Sequence, residues 1–182
     1  GELTELDPDS AAELYDVTNE TMSKRGLPNY EVSNYARIGE ESRHNLTYWK
    51  YGDYVGIGPG AHGRLTLSTP NSLGTKMATR QHRAPEIWLE TVEQAGHATR
   101  TYSTVSATER FEEMIMMGLR LKEGVPLEAV KSETGQNLSD FIASSKIQQL
   151  CDENLLSISS ETIKATDAGR TRLNSLLAYL LT

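Results

Sequence analysis

The 182-residue sequence contains a single cysteine, Cys151, and this scarcity excludes several kinds of site. One thiol cannot form an intrachain disulfide, a cysteine-based zinc site or an iron–sulfur cluster held by three or four thiolates of this chain. No apolar run approaches the roughly 20 residues that span a bilayer, and the first residues lack the basic flank and apolar core of a signal peptide. We therefore expect a soluble protein of a reducing cytoplasm, without membrane insertion.

Basic residues are also scarce. Lys and Arg number 18 against 25 Asp and Glu, which gives a formal net charge of −7. An acidic surface repels phosphate backbones, so a nucleic-acid partner is not expected. The sequence opens on Gly1 with no initiator methionine, which suggests that it is a fragment of a longer protein.

The first hundred residues alternate between helical and extended patterns. Asp7-Pro8 is typical of a helix start, because proline suits the first helical turn. Periodicity and turn residues predict the following segments: helices over 8–25 and 85–96, strands over 30–35 and 54–58, and a hairpin of 63–69 and 74–82 around residues 70–73. A helix followed by two separated strands suggests part of a βα architecture.

The remainder of the chain has a different pattern. Ser106 and Glu109 form a capping-box sequence that predicts a helix start. The segments predicted after it are helices over 139–153 and 167–181 and a hairpin of 155–159 and 162–165. Helices, a two-stranded wing and a final helix follow the order of a winged-helix module. The Thr/Ser-rich residues 98–105 predict a link, so we divide the chain into domains 1–100 and 101–182.

Charge argues against DNA binding by the second of these domains. Residues 105–182 contain 8 basic and 11 acidic residues, a net charge of −3. A recognition helix needs the opposite sign. A packing surface or a partner surface is the expected role of this module.

Residues 30–64 are dense in side chains that bind ligands. They hold five of the eight tyrosines, one of the two tryptophans, and both His44 and His62. Aromatic walls with a few polar groups suit a pocket for a flat ligand. A structured loop packed against the sheet explains the same composition, and composition alone favours that alternative. His44 could likewise ligate a metal or haem iron, or serve only in hydrogen bonds.

A glycine-rich turn and a basic stretch lie beside this segment. The turn at residues 56–63 could offer backbone N–H groups to a polar ligand, although a simple tight turn is the default reading. No Asp or Glu occurs over residues 54–85, which do contain four basic residues: Arg64, Lys76, Arg80 and Arg83. These cations would complement carboxylates or phosphates, or would lie on a solvated hairpin face.

Three stretches together resemble a known family. They read Tyr-Glu-Val-Ser-Asn-Tyr-Ala-Arg-x-Gly at 30–39, Glu-Ser-x-His-Asn-x-x-Tyr-Trp at 41–49, and Tyr-x-Gly-Ile-Gly-Pro-Gly-Ala-His-Gly at 54–63. The chain resembles the oxygen-independent coproporphyrinogen III oxidase-like radical S-adenosylmethionine (SAM) proteins, the HemN/HemW group. The tail over residues 108–181 is similar to the C-terminal domain of that group. The second stretch is closest to the His-Asn-x-x-Tyr-Trp motif of its haem-chaperone branch, HemW.

The resemblance implies an α+β fold: the last strands and helices of a partial (β/α) radical SAM barrel, followed by a C-terminal winged-helix-like domain. Family members bind a [4Fe–4S] cluster through a Cys-x-x-x-Cys-x-x-Cys motif that this chain lacks. The chain is therefore expected to be the C-terminal portion, inactive by itself. Its partner would be the missing N-terminal barrel half, and the cluster and SAM would bind only in the full-length protein.

The resemblance also implies site residues. Haem or porphyrin contacts are expected at the motif residues, with His44 facing the iron: His44, Asn45, Tyr48 and Trp49. Ligand propionates are expected at Arg64, Arg80 or Arg83. The SAM side is expected at Gly58, Gly60, Ala61 and His62. The implied function is haem binding and transfer, with a haem-acceptor protein as a possible partner. Coproporphyrinogen III oxidation and a non-catalytic interaction module are the alternatives.

Overall fold

The computed structural model describes residues 6–69 and 72–182. In chain order, its helices and strands are α1 (Pro8–Lys24), α2 (Arg43–Trp49), β1 (His62–Thr69), β2 (Ser72–Gln81), α3 (Pro85–Ala95), β3 (Thr99–Thr104), α4 (Ala107–Gly118), β4 (Val125–Pro126), α5 (Leu127–Thr134), a 3-10 turn (Leu138–Asp140), α6 (Ser144–Asp152), β5 (Leu156–Ile158), β6 (Thr162–Ala165), α7 (Asp167–Thr171) and α8 (Leu173–Leu180).

Helix α1 confirms the prediction for residues 8–25. The Asp7 carboxylate accepts a hydrogen bond from the Ser10 N–H at 3.0 Å, which satisfies one of the free donors of the first turn. The chain leaves the helix through Gly26 at φ +75°, a backbone conformation that glycine adopts without strain. Most of the helix surface is exposed.

The first sheet confirms the predicted hairpin and adds a strand to it. Strands β1 and β2 pair antiparallel, with His62 opposite Arg80, and the turn residues 70–71 lie outside the described residues. Strand β3 pairs antiparallel with β2, so the order is β1-β2-β3. The prediction of a link over residues 98–105 is therefore wrong, because this segment is hydrogen-bonded into the sheet. The division of the chain near residue 100 stays a prediction.

The strands predicted over residues 30–35 and 54–58 are not formed. Each segment makes only one isolated bridge, Asn29 to Tyr35 and Tyr54 to Arg64. In the first segment the Glu31 side chain accepts hydrogen bonds from residues just downstream, which bends the chain into a turn. In the second segment the chain reverses at Gly58, where φ is +104°.

The hydrophobic core lies within residues 111–180, and Tyr51 from the first half of the chain packs into it. The capping box of Ser106 and Glu109 starts α4 as predicted. The rings of Phe111 and Phe141 stack with centroids 4.2 Å apart, and Ile115 is fully buried. The predicted hairpin is confirmed as β5 and β6, which form a three-stranded sheet with β4 in the order β4-β6-β5.

Two predicted helices of this region have different bounds. The helix expected over 139–153 begins at Ser144, because a 3-10 turn capped by Asn137 precedes it. The helix expected over 167–181 is divided at Arg172, whose backbone (φ −116°, ψ 25°) is not helical. No helix within the described ranges is long and apolar enough to cross a membrane.

Candidate functional site

Helix α2 contains the His-Asn-x-x-Tyr-Trp sequence, which was expected to lie in a loop. The Ser42 hydroxyl accepts a hydrogen bond from the Asn45 N–H at 3.3 Å and caps the helix. His44 and Tyr48 are four residues apart, so they lie on one face of the helix. The helix therefore fixes the relative positions of these two rings.

Three aromatic rings form a continuous series beside this face. The ring centroids of His44 and Tyr48 are 4.8 Å apart in an edge-on arrangement, and those of Tyr48 and Tyr54 are 4.4 Å apart. The Tyr48 hydroxyl lies 3.4 Å from His44 Nε2, a long contact for a hydrogen bond. Burial raises the pKa of Tyr54, so its hydroxyl stays neutral at physiological pH.

These rings border an open cavity of about 470 Å³, which we call the ring cavity. Its lining residues are His44, Tyr48, Tyr54, Val55, Gly56, Ile57, Ala61 and His62. Val55 and Ile57 are largely exposed at its border, with 66% and 83% of their surface accessible. The cavity thus brings together His44 and Tyr48 of the expected porphyrin set with Ala61 and His62 of the expected SAM set.

The glycine-rich turn forms one wall of the ring cavity. A side chain at position 56 would overlap the backbone of His62. The turn can therefore adopt this conformation only with glycine at position 56. The Gly60 N–H donates to the His82 carbonyl at 2.8 Å, and the Ala61 N–H donates to the Gly58 carbonyl at 3.2 Å. Both N–H groups are used within the protein, so the turn presents side chains rather than these donors to a ligand.

Two motif residues face away from the ring cavity. Asn45 Nδ2 donates to the Tyr30 hydroxyl at 3.3 Å. Trp49 lines a second, mostly apolar cavity of about 440 Å³, which we call the inner cavity, between α2, α4 and β4. The Lys50–Glu123 ion pair, at 2.8 Å, also lines it. The expected set His44, Asn45, Tyr48 and Trp49 therefore does not converge on one space.

The basic stretch is half neutralised by acids of the C-terminal region. Arg64 forms a two-pronged ion pair with Glu113, with distances of 2.6 and 3.1 Å. The Lys76 side chain is only 1% exposed, and its ammonium lies 3.5 Å from Asp53 and 3.4 Å from Glu133. These two cations hold the fold together and are not available to an anionic ligand without breaking an ion pair.

Arg80 and Arg83 differ from the other two cations. Neither forms an ion pair within residues 6–69 and 72–182. Arg80 lies opposite His62 in the sheet register, and its Nε is buried without a hydrogen-bond partner among the described atoms. Arg83 is exposed and packs beside Gly60. Neither arginine lines the ring cavity, but Arg80 is adjacent to its lining residue His62 and Arg83 to Gly60 of the glycine-rich turn.

Sequence reasoning missed Glu31, Glu113 and Arg120. Glu31 is fully buried, and its carboxylate pairs with Arg120 at 2.9 Å. The Arg120 guanidinium carbon lies 4.5 Å from the centroid of the Trp49 ring. Each contact joins residues more than 45 positions apart, so no local pattern indicates it. The one available signal was a charged residue, Glu31, inside a stretch that read as a strand.

Acidification is expected to weaken the Arg64–Glu113 ion pair. In Glu113→Gln, which lacks this ion pair, the Tm should therefore change less with pH. Burial by itself raises the pKa of Glu113, but hydrogen bonds from Arg64 and Tyr51 lower it by more, to below its usual 4.5. A carboxyl whose pKa falls on folding stabilises the protein above the unfolded pKa and loses that contribution as the pH drops through the folded value. The Tm of the parent protein should therefore fall more steeply than that of Glu113→Gln below about pH 4.5.

The control for this measurement is Glu128→Gln. Glu128 is exposed and forms no ion pair among the described residues. Its acid profile should match that of the parent. A Glu113→Gln profile that also matched the parent would contradict the assignment.

Comparison with known proteins shows which family and which fold the chain resembles. Residues 105–171 match the model of the HemN C-terminal domain. The solved structure titled "Coproporphyrinogen III oxidase (HemN) from Escherichia coli is a Radical SAM enzyme" superimposes with a TM-score of 0.69 at 12% identity, over 97% of this chain and 42% of that one. At this identity the match shows a shared mixed α/β fold.

Curated relatives confirm the resemblance to the HemN/HemW group. The radical S-adenosyl methionine domain-containing protein 1, mitochondrial, of Bos taurus is 38% identical over the whole chain and 41% of its own length. Heme chaperone HemW of Haemophilus influenzae is 31% identical over 97% of the chain and 43% of its own length. The chain thus spans about two fifths of these relatives. The name of the Bos taurus relative describes it as mitochondrial. A cytoplasmic location for this chain stays a prediction.

The residues present do not fit a [4Fe–4S] cluster. Such clusters are held mainly by cysteine thiolates. The chain has one cysteine, Cys151 on α6, and within the described residues no group of three or more His, Cys, Asp or Glu is placed to hold a metal ion. No chemical step that needs the cluster is assigned to this chain.

Proposed function

We propose that this chain is the haem-facing C-terminal portion of a HemN/HemW-group protein and that it binds haem as cargo in the ring cavity. The observation that carries the proposal is the exposed imidazole of His44 at the end of a series of three aromatic rings in edge-on and tilted contact. A porphyrin is flat and apolar with anionic edges, and aromatic walls favour such a ligand. The relatives named heme chaperone HemW support the choice of haem.

His44 is the proposed iron ligand. Its Nε2 contacts only the Tyr48 hydroxyl among the described residues, at a long 3.4 Å. Iron binding at this nitrogen would replace a weak contact, because hydrogen bonds of this length contribute little. Tyr48 would then pack against the macrocycle. Asn45 and Trp49 would act indirectly, since both point elsewhere.

The propionates are proposed to meet Arg80 and Arg83. Guanidinium groups bind carboxylates through paired hydrogen bonds. Arg64 is the weaker candidate, because Glu113 already holds it on two nitrogens. Ala61 and His62 lie in the same cavity, together with Gly56. The proposed SAM side at Gly58, Gly60, Ala61 and His62 would thus border the haem site directly.

The finer fold assignments belong to the same proposal. We assign residues 101–182 to a winged-helix-like domain, because a short strand, helices and a β-hairpin follow α4 in the order of such modules. We assign residues 1–100 to the end of a partial radical SAM barrel that the N-terminal half of the protein would complete. In the full-length protein, SAM and the cluster would supply radical chemistry. This chain would supply the binding surface for haem and its transfer to an acceptor protein.

Haem titration of this chain tests the proposal. We expect saturable binding, seen as a Soret band, and an affinity at least about tenfold lower in His44→Ala, because the iron would lose its protein ligand. His97→Ala is the matched control, since His97 is exposed and lies outside the residues that line the ring cavity. Arg80→Gln and Arg83→Gln should each weaken binding without moving the Soret maximum.

Two outcomes would overturn the assignment. One is that neither this chain nor the full-length protein binds haem saturably. The other is a His44→Ala affinity equal to that of His97→Ala. Porphyrinogen turnover by the full-length protein would instead favour the oxidase alternative.

A further inference from the structure

We infer that Arg120 is a positioning residue for the motif helix α2, and that it acts by holding the Trp49 ring. Arg120 lies just beyond the end of α4, in the region that matches the HemN C-terminal domain. It does not line the ring cavity. Its relevance to haem rests on the proposed function, whereas its hold on α2 rests on geometry alone.

The first part of this device is the anchored carboxylate of Glu31. Its Oε1 accepts three hydrogen bonds: from the Ser33 N–H at 2.6 Å, the Ser33 hydroxyl at 2.9 Å and the Asn34 amide at 2.7 Å. Its Oε2 accepts from Arg120 at 2.9 and 3.1 Å. A fully buried carboxylate with all these partners cannot move without leaving a charge unpaired, which is costly.

The second part is the contact between Arg120 and Trp49. The guanidinium carbon lies 4.5 Å from the ring centroid, which is within the range of a cation–π interaction. Arg120 can donate to Glu31 and cover the ring at once, because its charged group is planar. A lysine could keep the ion pair but would not present a flat face to the indole.

Holding Trp49 fixes the roll of α2 about its axis. Trp49 is the last residue of a helix only seven residues long, and no residue of this helix is fully buried. So short a helix depends on tertiary contacts for its orientation. His44 and Tyr48 project from another face of the same rigid helix, toward the ring cavity. A change in the position of Trp49 would therefore turn both rings.

The alternative is that the Arg120–Glu31 ion pair only stabilises the fold and does not orient α2. Helix α4 contains a second arginine that serves as a control for this alternative. Arg110 is a buried arginine of this helix, whereas Arg120 is half-buried, and Arg110 donates to the backbone carbonyls of Val105, Gly74 and Glu133. It contacts neither Trp49 nor Glu31. Arg110→Lys should lower the stability of the protein without any specific effect on α2.

The experiment uses Trp88→Phe as the parent, so that Trp49 is the only tryptophan. In Arg120→Ala we expect Trp49 emission to shift to the red, quenching by acrylamide to increase, and the NMR signals of the His44 imidazole to move. Arg120→Lys should give smaller changes of the same sign. In Arg110→Lys, measured well below its Tm, these signals should match the parent. Haem affinity should fall about tenfold in Arg120→Ala.

The readouts without haem decide the positioning role. Trp49 and His44 signals that stay at parental values in Arg120→Ala, while the Tm falls, would overturn the inference and leave a stabilising role only. If the Trp88→Phe parent binds no haem, that result contradicts the proposed function and not the inference about Arg120. The Trp49 and His44 signals would still decide the role of Arg120.

Discussion

Replacing Gly56 with alanine should destabilise the protein by about 3 kcal/mol and abolish the haem binding that we propose for the ring cavity. A Cβ atom at this position would overlap the carbonyl group and the N–H of His62. Backbone atoms cannot move aside as a flexible side chain can, so the glycine-rich turn would have to open. Because this turn supplies one wall of the ring cavity, the site would open with it.

The control is Gly58→Ala in the same turn. No described atom lies within 4 Å of its Cβ position, so this variant should suffer only the strain of a side chain at φ +104°, about 1 to 2 kcal/mol. Urea denaturation gives both free energies of unfolding, and haem titration gives both affinities. Equal losses in the two variants would show that the contact with His62 is not what requires glycine at position 56.

Lys76→Met should lower the free energy of unfolding by about 2 to 3 kcal/mol. Methionine fills a similar volume, so the loss comes from charge. Asp53 and Glu133 would lose their shared cation, and the Tyr51 carbonyl would lose a donor at 3.0 Å. The two carboxylates are partly exposed, which makes the expected loss smaller than for a fully buried ion pair.

Removing the two acids should restore part of this loss. In Asp53→Asn with Glu133→Gln, the substitution Lys76→Met leaves no unpaired carboxylate behind. The double-mutant-cycle comparison of urea midpoints should therefore show Lys76→Met costing less in that background than in the parent. An equal cost in both backgrounds would place the contribution of Lys76 in its hydrogen bond to the Tyr51 carbonyl and its cation–π contact with the Tyr51 ring, 4.1 Å from its ammonium, rather than in the ion pairs.

Local signals in the sequence predicted the elements whose cause is local. The proline and acid at the start of α1, the capping box of Ser106 and Glu109, and the alternating strands of both hairpins each act over a few residues. Helix α2 was missed because it is short and amphipathic periodicity needs more turns to show. Its cap residue, Ser42, was the one local sign that it begins there.

Strand β3 could not be predicted from its own residues. It is rich in threonine and serine, and all of its residues after Thr99 are exposed, so it lacks the alternation of a half-buried strand. Its place in the sheet comes from pairing with β2, some twenty residues earlier in the chain. The opposite error occurred at residues 30–35, where alternation was present but the Glu31 side chain bends the chain into a turn.

The candidate site was predictable in composition but not in arrangement. The resemblance indicated His44, Tyr48 and the glycine-rich turn, and the structure places all three at one cavity. It could not show that Glu113 occupies Arg64, because these residues lie 49 positions apart. Nor could spacing alone show that Trp49 faces the inner cavity, because the direction of its side chain follows from the helix α2, which the sequence does not predict.

The ion pairs between the two halves of the chain constrain how this protein can recombine with its relatives. Among residues 6–69 and 72–182, four of them cross residue 100: Glu31–Arg120, Lys50–Glu123, Arg64–Glu113 and Lys76–Glu133. A chimaera that joined the first half of one homologue to the second half of another would take the two members of each pair from different parents. Exchange at this boundary would succeed only between proteins that share both members, so the two halves are expected to be inherited as a unit.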